Sequence, residues 1–121
     1  MAKILIIDDE QPLRESYDII LSSAGHTTQT AIHGEDAISV LEEFIPDIIL
    51  LDIDMPVLDG IGFLQSYDIP KKLPDCKVIV FTNLEETKRL DEAYKLGADR
   101  YVLKSSLSPR DLIELVTQLM A

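Results

Sequence analysis

The chain has 121 residues, 46% of them apolar, and a net charge of −11. That length suits one domain with one core, the apolar runs are strand-sized and too short to span a membrane, and so acidic a surface argues against direct nucleic-acid binding. One cysteine, Cys76, excludes an internal disulfide and fits a reducing cytoplasm, and apolar sequence begins so soon after Met1 that no secretory leader is expected.

Lys3-Ile4-Leu5-Ile6-Ile7 reads as a strand buried on both faces, because its apolar residues run on without period-2 alternation. It ends in Asp8-Asp9-Glu10. Pro12 suits the first turn of a helix, with Leu13, Tyr17, Ile20, Leu21 and Ala24 on one face and Gly25 as its stop. Thr27 to Ala31 is β-prone but more polar, as an edge strand is. His33-Gly34 turns into a helix with Ala37, Ile38, Leu41 and Phe44 inward, ended by Pro46-Asp47.

Ile48-Ile49-Leu50-Leu51 then runs straight into Asp52. Ile53-Asp54-Met55-Pro56 follows, and Pro56 cannot continue a central strand, so the chain turns there. Asp59-Gly60 opens a short helix carrying Ile61, Phe63 and Leu64. Residues 67–76, with Pro70 and Pro74, are expected to be loop. Lys77 to Thr82 is a fourth strand. A polar helix from about Glu85 turns Leu90, Ala93 and Tyr94 inward, and Leu96-Gly97-Ala98 closes it. Arg100 to Leu103 is a fifth strand, ending at Lys104. Ser108-Pro109 suits an N-cap and first helical position, and Leu112, Leu115, Val116 and Leu119 form the last apolar stripe.

Strand and helix alternate five times without repeat or linker. That argues an α/β fold: a doubly wound, flavodoxin-like parallel sheet of five strands with helices on both faces. The polar second strand favours an edge, consistent with the order 2-1-3-4-5. Residues 1–121 are expected to form a single domain, with no output domain in this stretch.

Parallel strands present their carboxyl ends on one edge, where open α/β sheets hold their ligands. Here those ends carry Asp8-Asp9, Asp52, Thr82 and Lys104. Three carboxylates brought together are unfavourable unless a cation joins them or one keeps its proton. A hard divalent ion such as Mg²⁺ resolves this and leaves room for a phosphate oxygen. Asp52 as nucleophile would form an aspartyl phosphate, with Lys104 and the Thr82 hydroxyl meeting the charge on its oxygens.

The sequence resembles the receiver domain of two-component response regulators, of the chemotaxis-receiver type, over essentially its whole length. Ile7-Asp8-Asp9-Glu10, LDIDMPVLDG around Asp52, Thr82, and KLGADRYVLK ending in Lys104 carry the resemblance. It implies that Asp52 is the phosphoacceptor, that Asp9 binds Mg²⁺ directly with Asp8 in the same acid pocket, and that the Asp54 carbonyl reaches the metal while its side chain tunes phosphoryl lifetime. It also implies that Thr82 and Tyr101 are a switch pair and that Lys104 pairs with the phosphoryl group. Two positions depart from the family: Ser105 stands where proline often follows the lysine, and Asn83 follows Thr82 where Ala or Gly is common.

The expected function is therefore a cytoplasmic signalling switch and not an enzyme turning over an external substrate. Its donor would be a histidine kinase or phosphotransfer protein. A downstream protein would be met by the fourth helix, fifth strand and fifth helix, including Lys88, Lys95, Arg100, Tyr101 and Arg110; a homodimer is left open. Two alternatives stand beside it. One is a pseudo-receiver that binds partners without taking phosphate. The other is a haloacid-dehalogenase-type phosphatase, which the Asp52-Ile53-Asp54 pair suggests but its place on the third strand and Pro56 disfavour.

Overall fold

The computed structural model describes residues 1–82 and 87–121. In chain order the elements are β1 (Lys3–Ile7), α1 (Gln11–Ser23), β2 (Thr27–Ala31), α2 (Gly34–Val40), β3 (Ile48–Asp52), α3 (Gly60–Ser66), α4 (Ile69–Lys72), β4 (Lys77–Thr82), α5 (Thr87–Lys95), β5 (Arg100–Leu103), a 3-10 turn (Lys104–Ser106) and α6 (Pro109–Met120). All strand pairs are parallel, in the order β2-β1-β3-β4-β5, as the sequence implied.

The two sides of the sheet explain why β1, β3 and β4 lack polar alternation. Leu5, Ile7, Ile49, Leu51, Val78 and Val80 face a core closed by residues of α2, α3, α4 and α5. Their chain neighbours Ile4, Ile6, Ile48, Leu50, Ile79 and Phe81 face the opposite core, closed by Tyr17 and Leu21 of α1 and Leu112 and Val116 of α6. The polar β2 lies at one edge, half covered. Among the described residues, no helix is long and apolar enough to cross a membrane.

Three local expectations are corrected. Residues 67–76 are not all loop, because Asp68 caps the short helix α4 by accepting from Lys71 N–H, with Pro70 in its first turn. One turn is too short to leave a periodic signal. Helix α2 ends at Val40, so Phe44 packs on the core from beyond the helix. Tyr94 does not face inward: it is exposed and meets Tyr101 edge-on, ring centroids 6.4 Å apart. The expected helix start near Glu85 lies outside the described residues.

The turn after β3 is held tightly to the sheet. Ile53 N–H donates to the Phe81 carbonyl at 3.2 Å, and Gly60 N–H to the Ile53 carbonyl at 2.9 Å. A Cβ at Gly60 would stand 2.6 Å from the backbone oxygen of Asp52, so only glycine lets α3 begin this close to the end of β3.

Candidate functional site

Register alone brings the candidate residues to one edge. Ile7 pairs with Leu51, so Asp8 and Asp52 leave adjacent strands at the same level. Asp52 pairs with Phe81 and Thr82 with Leu103, which places Thr82 and Lys104 one step further along the next strands. Among the described residues, the buried polar and charged side chains are Asp8, Asp52, Thr82 and Lys104, all at this edge.

Lys104 ties the cluster together. Its Nζ lies 3.0 Å from Asp8 Oδ2, 3.1 Å from Asp52 Oδ2 and 3.3 Å from Glu10 Oε1. The remaining oxygens of the two buried acids are satisfied locally. Asp8 Oδ1 accepts from Glu10 N–H at 2.9 Å, and Asp52 Oδ1 from Asp54 N–H at 3.2 Å. Asp8 Oδ2 and Asp52 Oδ2 have no aligned hydrogen-bond donor, so the ammonium meets them as a charge rather than along a lone pair. Buried carboxylate oxygens are costly to leave in that state.

The electrostatics follow from burial. Removal from water raises the Asp52 carboxyl from 3.8 to about 7, against the pull of Lys104 and with added repulsion from Asp8. Burial alone would lower Lys104, but the charges of Asp52 and Asp8 win and raise it above its ordinary 10.5. Lys104 is thus a fixed cation at neutral pH. Beside it, Tyr17 packs edge-on against Phe81 at 5.2 Å, and burial raises its phenol.

Carboxylate oxygens of Asp8, Glu10 and Asp52 come within 4.8 Å of one another. An oxygen-only set with two unaligned buried acceptors fits a hard divalent cation such as Mg²⁺. Asp9 is exposed, and its carboxyl is near enough to Asp52 to raise it through a hydrogen bond. Asp54 is also exposed and pairs with Arg89 at 2.6 Å. Tyr101 lies on β5 with its ring on the outside. Asn83 and the side chain of Lys88 lie outside the described residues.

Sequence reasoning missed three participants. Glu10 had a signal, since it continues the acid run after β1. Arg14, whose Nη1 donates to the Asp8 carbonyl at 2.8 Å, is one helical turn further on. Arg89 was missed because two acids it meets, Asp59 and Asp54, lie 30 and 35 residues earlier in the chain.

Residues 4–117 match the family model for the response regulator receiver domain. A probable transcriptional regulator ycf27 from Guillardia theta is 38% identical over 91% of this chain and 42% of its own length. The nitrate/nitrite response regulator NarL of Escherichia coli is 34% identical over 99% of this chain and 55% of its own. The chain thus spans about half the length of these curated relatives. A solved CheY-like receiver domain protein from Methanospirillum hungatei superposes with a TM-score of 0.89 at 27% identity, covering 98% of this chain and 92% of that one.

Proposed function

The chain belongs to the response regulator receiver family, and from that premise we propose that Asp52 accepts a phosphoryl group from a phosphohistidine on a sensor kinase or phosphotransfer protein. The observation that carries this reading is Asp52 itself, buried, with an unaligned oxygen 3.1 Å from a fixed ammonium and level with a second buried acid.

A carboxylate oxygen of Asp52 attacks phosphorus, and the bond from phosphorus to the donor imidazole nitrogen breaks, its electron pair staying on the imidazole. Lys104 follows the charge from the carboxylates onto a phosphoryl oxygen, and the Thr82 hydroxyl donates to another. Asp8, Asp9 and Asp52 would hold Mg²⁺, with the Asp54 carbonyl; Glu10 is a further acid whose carboxylate groups with those of Asp8 and Asp52. When bound, the ion offsets the negative charge of acids and phosphoryl group and keeps Asp52 ionised at neutral pH.

The output reading rests on Thr82 and Tyr101, on neighbouring strands. Recruitment of the Thr82 hydroxyl to the phosphoryl group would let the Tyr101 ring turn inward and change the surface of α5, β5 and α6. Lys95, Arg100, Tyr101 and Arg110 are exposed there for a downstream protein or a second copy. We read residues 1–121 as one receiver unit acting in the cytoplasm, without steady turnover of an external substrate.

The test is intact mass after incubation with acetyl phosphate and Mg²⁺. Wild type should gain one phosphoryl mass and Asp52→Asn none. Full labelling of Asp52→Asn removes the assignment. A folded wild type that takes no label from acetyl phosphate or from a phosphohistidine donor would favour a pseudo-receiver.

A further inference from the structure

The two edges of the sheet are finished differently. β5 closes one edge with four residues, opening on Arg100. β2 closes the other with Thr-Thr-Gln-Thr-Ala, five residues paired to β1 in unbroken register. Edge strands are commonly blunted by lysine, proline or a bulge, because their free backbone groups invite another strand. β2 carries none of the three. Thr27 N–H donates to the Ala2 carbonyl, and the Ala31 carbonyl accepts from Asp8 N–H. Residues 27, 29 and 31 therefore turn their backbone groups to β1, and Thr28 and Thr30 turn theirs outward.

The two borders of this edge differ in chemistry. On one side, Gln29 with Val40, Glu43 and Phe44, at and just beyond the end of α2, lines a cleft of about 240 Å³. A closed apolar cavity of about 150 Å³ holds a benzene ring, so the cleft has room for one apolar side chain. On the other side, Asp18 of α1 accepts from Ser22 Oγ at 3.0 Å and from Thr28 Oγ1. The flanking sequence is strongly acidic: from Gln11 to Ile45 it has Glu15, Asp18, Glu35, Asp36, Glu42 and Glu43 against a single arginine, Arg14, and no lysine.

We propose that β2 takes up an extended basic segment of another protein as a sixth strand. Thr28 and Thr30 supply the main-chain hydrogen bonds, and the flanking side chains read alternate positions of the segment. Successive residues of a strand point to opposite faces. An apolar residue therefore enters the cleft beside Val40 and Phe44, while its neighbours, lysine or arginine, turn toward Asp18 on the α1 side. A second copy of this chain fits poorly, since pairing β2 with β2 would set these acids against each other. β1 lies between β2 and the strand that carries Asp52, and the proposal does not depend on the reading of Asp52.

The test follows amide NMR shifts and hydrogen exchange of the whole chain with the capped peptide Lys-Val-Lys-Leu-Lys-Val-Lys. One control has the same composition with its lysines in a single block; the other has glutamate for every lysine. With the alternating peptide at about ten times its Kd, the Thr28 and Thr30 amides should exchange about tenfold more slowly, because exchange then waits for release. The block peptide should leave those two amides unprotected, and the glutamate peptide should not bind. Thr30→Pro removes an outward donor without touching the ladder to β1, and should weaken binding about tenfold, as for one lost hydrogen bond. Glu43→Lys, at an exposed position that leaves the fold intact, should weaken it about fivefold, as for an exposed charge pair, and carries the test if the proline variant fails to fold. Equal protection by the block peptide, shifts confined to other elements, wild-type affinity in Glu43→Lys, or no binding of the alternating peptide up to about 1 mM overturns the proposal.

Discussion

At the amino-terminal edge of the sheet, Asp47 and Asp99 each close a gap between strands, whereas at the carboxyl-terminal edge Asp8 and Asp52 leave one open. Asp47 Oδ2 accepts from Lys3 N–H at 2.8 Å while Asp47 N–H donates to the Lys3 carbonyl at 2.7 Å. Asp99 does the same for Val78, at 2.8 Å in both directions. Neither acid is buried. Asp8 and Asp52 are almost fully buried, and each keeps one oxygen without an aligned donor. The same side chain closes a strand gap where a backbone donor meets it at the open edge, whereas at the buried edge one oxygen of each acid is left to face an ammonium.

The widest separation between the edges should come from the metal. Chelation of Mg²⁺ should slow labelling by acetyl phosphate by about 10³-fold, since charge offset at such a site is worth several kcal/mol. Asp99→Ala should label at the wild-type rate; initial rates of mass gain check both. Equal sensitivity of the two edges would erase the distinction.

Loss of the cation is the next largest effect. Lys104→Ala leaves Asp8 and Asp52 buried without it, and should destabilise the fold by about 3 kcal/mol at pH 8. The loss should shrink toward pH 5, where Asp52, titrating at about 7, has taken up a proton. Urea unfolding at the two pH values reads this directly. A loss independent of pH would mean that Lys104 matters for packing alone.

Asp99→Ala should cost about 1–2 kcal/mol at either pH, because it strands the Val78 amide at the start of β4. Urea midpoints of that variant with its labelling rate sharpen the comparison: stability falls and chemistry is untouched.

Much of this was legible in the sequence because the decisive features are local. Unbroken apolar runs in β1, β3 and β4 state that both faces are covered, and a polar β2 states an edge; together they are consistent with the sheet order, which the family resemblance implies. Each strand then delivers its terminal residue to a known level, so Asp8, Asp52, Thr82 and Lys104 could be named as neighbours before any distance was measured. What escaped was set by side-chain reach or by very short elements. Arg89 meets Asp54 across 35 residues of chain. Helix α4 is one turn long. Tyr94 fits an inward helical position yet packs outside against Tyr101. The closeness of Glu10 to Lys104 depends on a rotamer, which no pattern encodes.

Stability of Asp52→Asn against wild type, by urea unfolding from pH 5 to 9, tests most directly whether the carboxyl-terminal edge is held at a cost. Burial raises Asp52 from 3.8 to about 7 in the folded protein. Between those values the folded state keeps a proton that the unfolded state has lost, so wild type loses stability as pH rises through that window. Asparagine does not titrate, and Lys104 keeps Asp8 and Glu10 as partners. The variant should therefore be the more stable by about 1–3 kcal/mol at pH 8, with the gain shrinking toward pH 5. A variant equal to or less stable than wild type at pH 8 would contradict the account, and would place Asp52 with Asp47 and Asp99 among the acids that hold the sheet together.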